Sequence, residues 1–500
     1  MLERYCDALI IGTDLSGLIT GAFLARRGLT VHVLDLDPFS RHEKDPDPFC
    51  VAHLHSKLFR SILGRLNIPE TDIQSLSGSE SPLQIIFPKK RIDISANPVV
   101  FYEELEREFP TQHENLRLFY ESLARIKHQV EGNQLYSLLL PTSFRERRQL
   151  MKFVKAHGLD NRLADLGLPI NDDPTLKSFL TAQLNLVTNN QTDSPFAFQV
   201  AELLNPSEGE IFAIQGGHQY LKKLFIERIE HHEGAYRPDS KIDHLLFRDG
   251  IFEGAALSGL EGNILARYVI WNTDLKKLVD YLPKLWRFRK LRKQIQKSRP
   301  SLHWFTAHFE VPTNFIPPPM KENLIIISNP AEALTGENFL YVQRKAKNDT
   351  TTRLSVSYLW APEKLEAANE TFLSCHEQIL QKLLVLLPFA GEQLRYTFPL
   401  PETRHEQAET LFPLNENDFE IFKQSARLHA IDTIKARSFA DLFPIGFKTA
   451  APNLFLTSPE ILGSMGYEGK FMLGLKVTDL IWEDVKKEKK WAMKLERRIA

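Results

Sequence analysis

The stretch Asp7–Asp37, DALIIGTDLSGLITGAFLARRGLTVHVLDLD, constrains the fold more than any other part of the chain. Four apolar residues, Ala8 to Ile11, run into Gly12, a short turn and Gly17. A helical run from Leu18 to Arg26 stops at Gly28, and a second strand, Thr30 to Leu34, ends on Asp35. Strand, tight turn, helix and strand in this order make the βαβ unit that binds a dinucleotide. Gly12 permits the sharp turn and Gly17 lets the helix approach the strand. The helix N-terminus offers free N–H groups and partial positive charge to a pyrophosphate. Asp35 lies 18 residues past Gly17, where an acid accepts hydrogen bonds from a ribose. The fingerprint is broken at one point: Gly12-Thr-Asp14-Leu-Ser-Gly17 has an aspartate where G-x-G-x-x-G has its middle glycine. An ionised Asp14 about 4 Å from a phosphate would cost roughly 4 kcal/mol at an effective dielectric near 20. A nanomolar cofactor is worth about 12 kcal/mol, so this substitution weakens binding without excluding it.

At 500 residues the chain exceeds one simple core, and two domains or so are expected. With 43% hydrophobic and 25% charged residues it has the composition of a soluble globular protein, and a net charge of -1 gives no global argument for nucleic acid. Cys6, Cys50 and Cys375 are far apart, which suggests a reducing compartment and neither a disulfide framework nor a metal site. No signal peptide precedes the first strand and no run of about 18 apolar residues occurs. The expectation is a cytoplasmic protein, with membrane contact only at a surface.

After Asp37 comes a polar loop, PFSRHEKDPDPF. His53 and His55 would share a strand face, but with no third ligand in view a surface or packing role is weighed above metal. Leu58–Leu66 reads as a helix and Leu83–Ile94 as a hairpin turning at Pro88-Lys-Lys-Arg91. From Val99 to about His157, and again over Leu176–Leu186, apolar residues recur at three and four, the mark of a helical insertion. Gly216-Gly217 precedes a helix to about His231. Strands over Lys241–Arg248, Ile251–Leu257 and Ile264–Ile270 follow, with a hairpin at Arg248-Asp-Gly250. Residues 286–299, WRFRKLRKQIQKSR, carry seven Lys or Arg and no acid. They are either a solvated helix face or a contact for anionic lipid headgroups. Strand-like runs fill Ser301–Trp360, an amphipathic helix spans Ala367–Leu387, and the chain closes with a strand, Leu454–Leu456, glycines 463, 466 and 469, and a helix from about Gly469. The tail from Val485 is basic.

Three blocks together resemble the phytoene desaturase branch of the FAD-dependent amine oxidase/GDP-dissociation inhibitor superfamily. They are the N-terminal βαβ, the block from Gly216-Gly217 to Asn272-Thr-Asp274, and the closing block with Gly466, Gly469 and Gly474. The matching blocks cover about a quarter of the chain, spread from end to end. The resemblance implies an α/β fold, a discontinuous Rossmann-like FAD/NAD(P)-binding domain with an inserted α+β substrate domain. The division would be 1–98, 211–275 and 446–500 for the FAD-type domain, 99–210 for the helical part of the substrate domain, and 276–445 for its sheet and helices.

The resemblance also implies a site. FAD would lie along Gly12, Asp14, Leu15, Ser16 and Gly17, with Asp35 on the ribose, Ile242 near the adenine, and Ser458, Met465 and Gly466 by the ribityl chain and flavin. The substrate would be a hydrophobic small molecule, polyene or isoprenoid in kind, exchanging hydride with the flavin. No catalytic side chain is singled out. Three positions depart from the family: Asp14, PFSRHEKD in place of the G-G-R loop, and Ser458-Pro459 in place of a Gly-Asp or Gly-Gly pair. The superfamily also holds flavin-less members, the Rab GDP-dissociation inhibitors. A non-catalytic protein holding a lipid or a lipidated partner is therefore the alternative. A nicotinamide-linked enzyme is weaker, because the closing block has no role in a simple NAD domain.

Overall fold

The computed structural model describes residues 4–36, 51–52, 56–76, 83–95, 97–132, 139–170, 172–188, 190–192, 195–204, 212–213, 217–258, 262–297, 300–360, 378–397, 429–434, 437–443 and 445–499. The 38–50 loop, His53, His55, Gly216 and Cys375 lie outside them. Strand β1 (Arg4–Ile11) pairs in parallel with β2 (Val31–Leu34), from Ala8 opposite Val31 to Ile11 opposite Leu34. Helix α1 (Leu15–Arg26) connects them and buries every residue from Leu15 to Ala25. A helix apolar on all sides needs cover on all sides. It packs on the helix closing the chain and on another from the middle block. It begins at Leu15, three residues before the start read from the sequence, because the Asp14 side chain caps it by accepting from Ser16 N at 3.2 Å.

The sheet is completed by segments far along the chain. Strand β3 (Ala235–Arg237) lies parallel beyond β2. On the other side, β6 (Asn263–Trp271) runs parallel to β1, with β5 (Ile251–Leu257) and β4 (Ile242–Arg248) antiparallel beyond it. The β4–β5 hairpin turns through Asp249 and Gly250, at φ +51 and +92, a pair of positive values that suits a two-residue turn. Strand β6 is shared lengthwise: β5 pairs with its first residues, and β7 (Leu454–Leu456) pairs in parallel with Val269–Trp271. The order is β3-β2-β1-β6-β5-β4, with β7 also on β6.

A second, nine-stranded sheet is built mostly from residues between these segments. Its centre is the antiparallel run Asn323–Ile327, Phe339–Ala346, Thr351–Trp360 and Pro300–Pro312, with the Leu83–Ile86/Arg91–Ile94 hairpin at one side. The pleat sorts its side chains. Ile325, Ile327, Phe339 and Tyr341 join a core with the helical insertion, in which α2 (His113–Gly132), α3 (Pro174–Val187) and α4 (Ala197–Leu203) lie. Leu324, Ile326, Leu340 and Val342 face Ile379, Leu383 and Leu387 on the opposite side. The helix expected over 367–387 is described at 378–386. Among the described residues no helix is long and apolar enough to cross a membrane. None of them forms a cluster of three or more His, Cys, Asp or Glu that could hold a metal ion.

Three more helices bear on the site. They are α5 (Gly217–His231), α6 (Arg289–Lys297) and α7 (Gly466–Ile499), the last beginning three residues before Gly469. α7 seats on α1 at Gly474, where a Cβ would stand 2.8 Å from Ser16 O, and Thr20 Oγ1 donates to Gly474 O at 3.0 Å. This is the close helix approach that small residues permit.

Candidate functional site

The glycine turn is held by a residue outside the expected cofactor contacts. Asn272, the first residue after β6, is fully buried. Its Oδ1 accepts from Gly17 N at 2.9 Å and from Thr457 Oγ1 at 2.8 Å. Its Nδ2 donates to Gly12 O at 3.1 Å and Asp14 O at 2.7 Å. The carboxamide is saturated, and it ties the βαβ turn, the end of β6 and the residue after β7 into one knot. The Asn272-Thr-Asp274 tripeptide was visible in the sequence; its target was not, because that lies 255 residues upstream. Gly12 has φ +102, and a Cβ there would meet the Asn272 backbone oxygen at 2.5 Å. Both glycines are therefore required by their neighbours, Gly12 also by its own backbone.

Asp14 does not point as an isolated charge. Its Oδ1 accepts from Ser16 N and Ser16 Oγ, and its Oδ2 accepts from Lys470 Nζ at 2.7 Å. The two side chains are 8% and 11% exposed. A cation from α7 thus meets the anion that broke the fingerprint. Lys470 was not foreseen, since nothing in the local pattern of a closing helix couples it to a turn 456 residues away.

Asp35 ends β2 and is 3% exposed. Thr13 Oγ1 donates to its Oδ1 at 3.3 Å and Tyr236 Oη to its Oδ2 at 2.8 Å. Ser240 N donates to Asp35 O at 2.8 Å, which brings the start of β4 beside it. Ile242 follows two residues on, and its carbonyl accepts from Tyr281 Oη at 3.2 Å. Of the ten expected cofactor residues, nine are buried: Gly12, Leu15, Ser16, Gly17, Asp35, Ile242, Ser458, Met465 and Gly466. Asp14 is the partly exposed one.

The closing segment meets both sheets. Ser458 lies against Trp271 O, at 3.5 Å from its Oγ. Gly466 has φ +54, and a Cβ on it would fall 2.0 Å from Val187 O, so the start of α7 abuts the end of α3. Gln199 Nε2 on α4 donates to Ser464 O at 3.3 Å. Nearby, Lys127 of α2 and Glu202 of α4 form a buried ion pair at 2.5 Å. The segment from Ser458 to Gly466 therefore sits at the junction of the nucleotide-type sheet and the helical insertion.

Glu460, next to Ser458-Pro459, accepts from Leu275 N at 3.1 Å through Oε1, while its Oε2 is buried with no hydrogen-bond partner among the described residues. Burial and the neighbouring Asp274 push its carboxyl up to about 8, so it carries a proton at neutral pH. Cys6 is buried, and burial pushes its thiol up to about 12, which makes it inert as a nucleophile.

No protein-family model matches the chain, and no curated protein does. Solved structures do. An oxidoreductase from Methanosarcina mazei has a TM-score of 0.57 at 13% identity, covering 96% of this chain and 100% of that one. A variant of putrescine oxidase, from a redesign of its cofactor binding, also reaches 0.57, at 15% identity over 97% of this chain and 100% of that one. Putrescine oxidase bound to putrescine reaches 0.55 at 13% identity, again over the whole of its chain. At these identities the likeness is one of fold. Over 96–97% of its length the chain shares the fold of these oxidoreductases, a Rossmann-like α/β fold.

Proposed function

We propose that this chain is an FAD-dependent oxidoreductase of the phytoene desaturase-like kind, acting on a hydrophobic small molecule. The observation that carries the reading is the Asn272 knot. Segments from the start, middle and end of the chain converge on the glycine turn, which supports reading them as one discontinuous domain. The residues present fit the cofactor. Gly12 and Gly17 keep the turn tight, Asp35 ends β2, and Lys470 offsets the charge of Asp14. At about 4 Å and an effective dielectric near 20, the roughly 4 kcal/mol repulsion of a phosphate by Asp14 is met by an attraction of similar size to Lys470. Asp35 would hold the ribose, the α1 N-terminus and Lys470 the pyrophosphate, and the Ser458–Gly466 segment the ribityl chain and ring. Bound FAD would supply hydride-accepting or hydride-donating chemistry, which the protein positions and shields. The side chains buried at this junction, Met465, Leu462, Val187 and Leu203, are apolar, as a hydrophobic substrate beside it would require.

A second reading, a flavin-less binding protein on this fold, is favoured by one observation. Both carboxylate oxygens of Asp35 already accept from hydroxyls of the chain itself, Thr13 and Tyr236. Purified protein decides between the two. Yellow protein that releases flavin on denaturation supports the enzyme. Colourless protein that takes up no added FAD supports the binding protein.

We also infer that the segment around α6 rests on an anionic lipid surface. Phe288 and Ile295 are buried and rivet it to the body, Phe288 against Phe247 and Phe252. The other side exposes Lys284, Arg287, Arg289, Lys290, Lys293 and Lys297, none in an ion pair among the described residues. Trp286 is 87% exposed, and Ile251 stands in the neighbouring hairpin whose Gly250 abuts Arg287. Fixed cations around an exposed indole suit a headgroup layer.

A further inference from the structure

We propose that Lys470 is the residue through which this chain recognises phosphate, delivered by the closing helix to the turn that lacks its middle glycine. The proposal rests on the FAD reading and names the contact that replaces the missing backbone approach.

A lysine ammonium has three N–H donors and no acceptor. The Lys470 side chain is 11% exposed, yet its one hydrogen bond among the described residues is to Asp14 Oδ2 at 2.7 Å. The Tyr467 ring lies 5.5 Å from Nζ and supplies a cation–π contact, which uses no specific donor. Two donors of this nearly buried cation have no acceptor among the described residues, and burial without acceptors is costly. Asp14 neutralises one charge, so the pair has no net charge of its own. The dipole of the twelve-residue helix α1 adds partial positive charge at the same point, although its Ser16 and Gly17 N–H groups are already taken by Asp14 Oδ1 and Asn272 Oδ1, which leaves the direct contact to Lys470. An oxyanion carried by a dinucleotide is the ligand this combination favours.

The same geometry gives Asp14 a role. Its Oδ1 is committed to capping α1 and its Oδ2 to Lys470, so the side chain is a fixed bracket that holds a long cation at the mouth of the turn. In an intact fingerprint the middle glycine lets backbone touch the pyrophosphate. Here a charge-assisted contact from α7 takes over, and phosphate recognition becomes dependent on the last part of the chain.

Calorimetric titration of the flavin-stripped full-length protein with FAD, ADP and adenosine tests this. Wild type, Lys470→Met and Lys470→Arg are compared, each checked by thermal melting. Lys470→Met is expected to weaken FAD and ADP by roughly tenfold or more, the size of a lost charged hydrogen bond, and to leave adenosine unchanged. Lys470→Arg is expected to restore most of the affinity. If wild type binds FAD and Lys470→Met binds FAD and ADP equally well, the proposal is overturned and the FAD reading stands. Equal losses for ADP and adenosine would mean a structural defect and overturn it too. Wild type that binds none of the three removes the FAD reading and this proposal together.

Discussion

A Cβ on Gly17 would stand 2.2 Å from the carboxamide carbon of Asn272, with both amide heteroatoms within 2.5 Å. The amide cannot yield without surrendering bonds to Gly12, Asp14 and Thr457 at once. Gly17→Ala should therefore cost about 1–3 kcal/mol as overpacking, read as a lower denaturant midpoint. An unchanged midpoint would mean the knot is loose. Glu460 gives a second test at this scale. Its carboxyl keeps its proton in the fold up to about pH 8, whereas in the unfolded chain a glutamate ionises near about 4.3. The native state thus holds the extra proton between those values. Stability falls as pH rises through that window and levels off above it. Glu460→Gln keeps an acceptor for Leu275 N and carries no charge. It should melt higher than wild type above pH 8 and similarly near pH 4; parallel melting profiles would acquit the carboxyl. Asp14 shows where reading the sequence stops. Its place in the turn was legible and so was its conflict with phosphate. Lys470 was not, because a contact across 456 residues leaves no mark in a local pattern.

Elements were legible where periodicity was strong. The βαβ, the Leu83–Ile94 hairpin, the β4–β5 hairpin and the helical stretches from Pro98 onward stand close to where the residues place them. The departures have local causes. α1 starts at Leu15 because Asp14 caps it, and α7 starts at Gly466, where only glycine clears Val187 O. β3 was missed because three half-buried residues carry no alternation to read. α6 makes the element-scale prediction. Reversing the charge of Arg289, Lys290 and Lys293 should lower binding to anionic vesicles, and Trp286→Ala should lower it further at high salt, where the electrostatic part is screened. Binding unchanged by charge reversal would dismiss the lipid contact.

At the scale of the molecule, β6 is the member that all three nucleotide-type segments share. It has β1 on one side and, on the other, β5 followed by β7. Asn453 locks this arrangement, donating to Phe252 O and Arg267 O and accepting from Phe252 N. Ending the chain before Asn453 would remove β7, α7 and the cover of α1 together. Such a truncation should lose protease resistance in residues 4–36 as well as near its new end; a resistant N-terminal half would show that the βαβ closes without them. The shared strand also sets a timetable for the chain as it is made. β1 meets its partner only when residue 271 has emerged, more than 250 residues later. At about 5–20 residues per second that is a wait of more than about ten seconds on the ribosome. Through that interval the apolar edge from Ala8 to Ile11 has β2 on one flank and nothing permanent on the other. The Asn272 knot is completed only once Thr457 arrives. The glycine turn is therefore synthesised long before the contacts that finish it, and it stays incomplete through that whole interval.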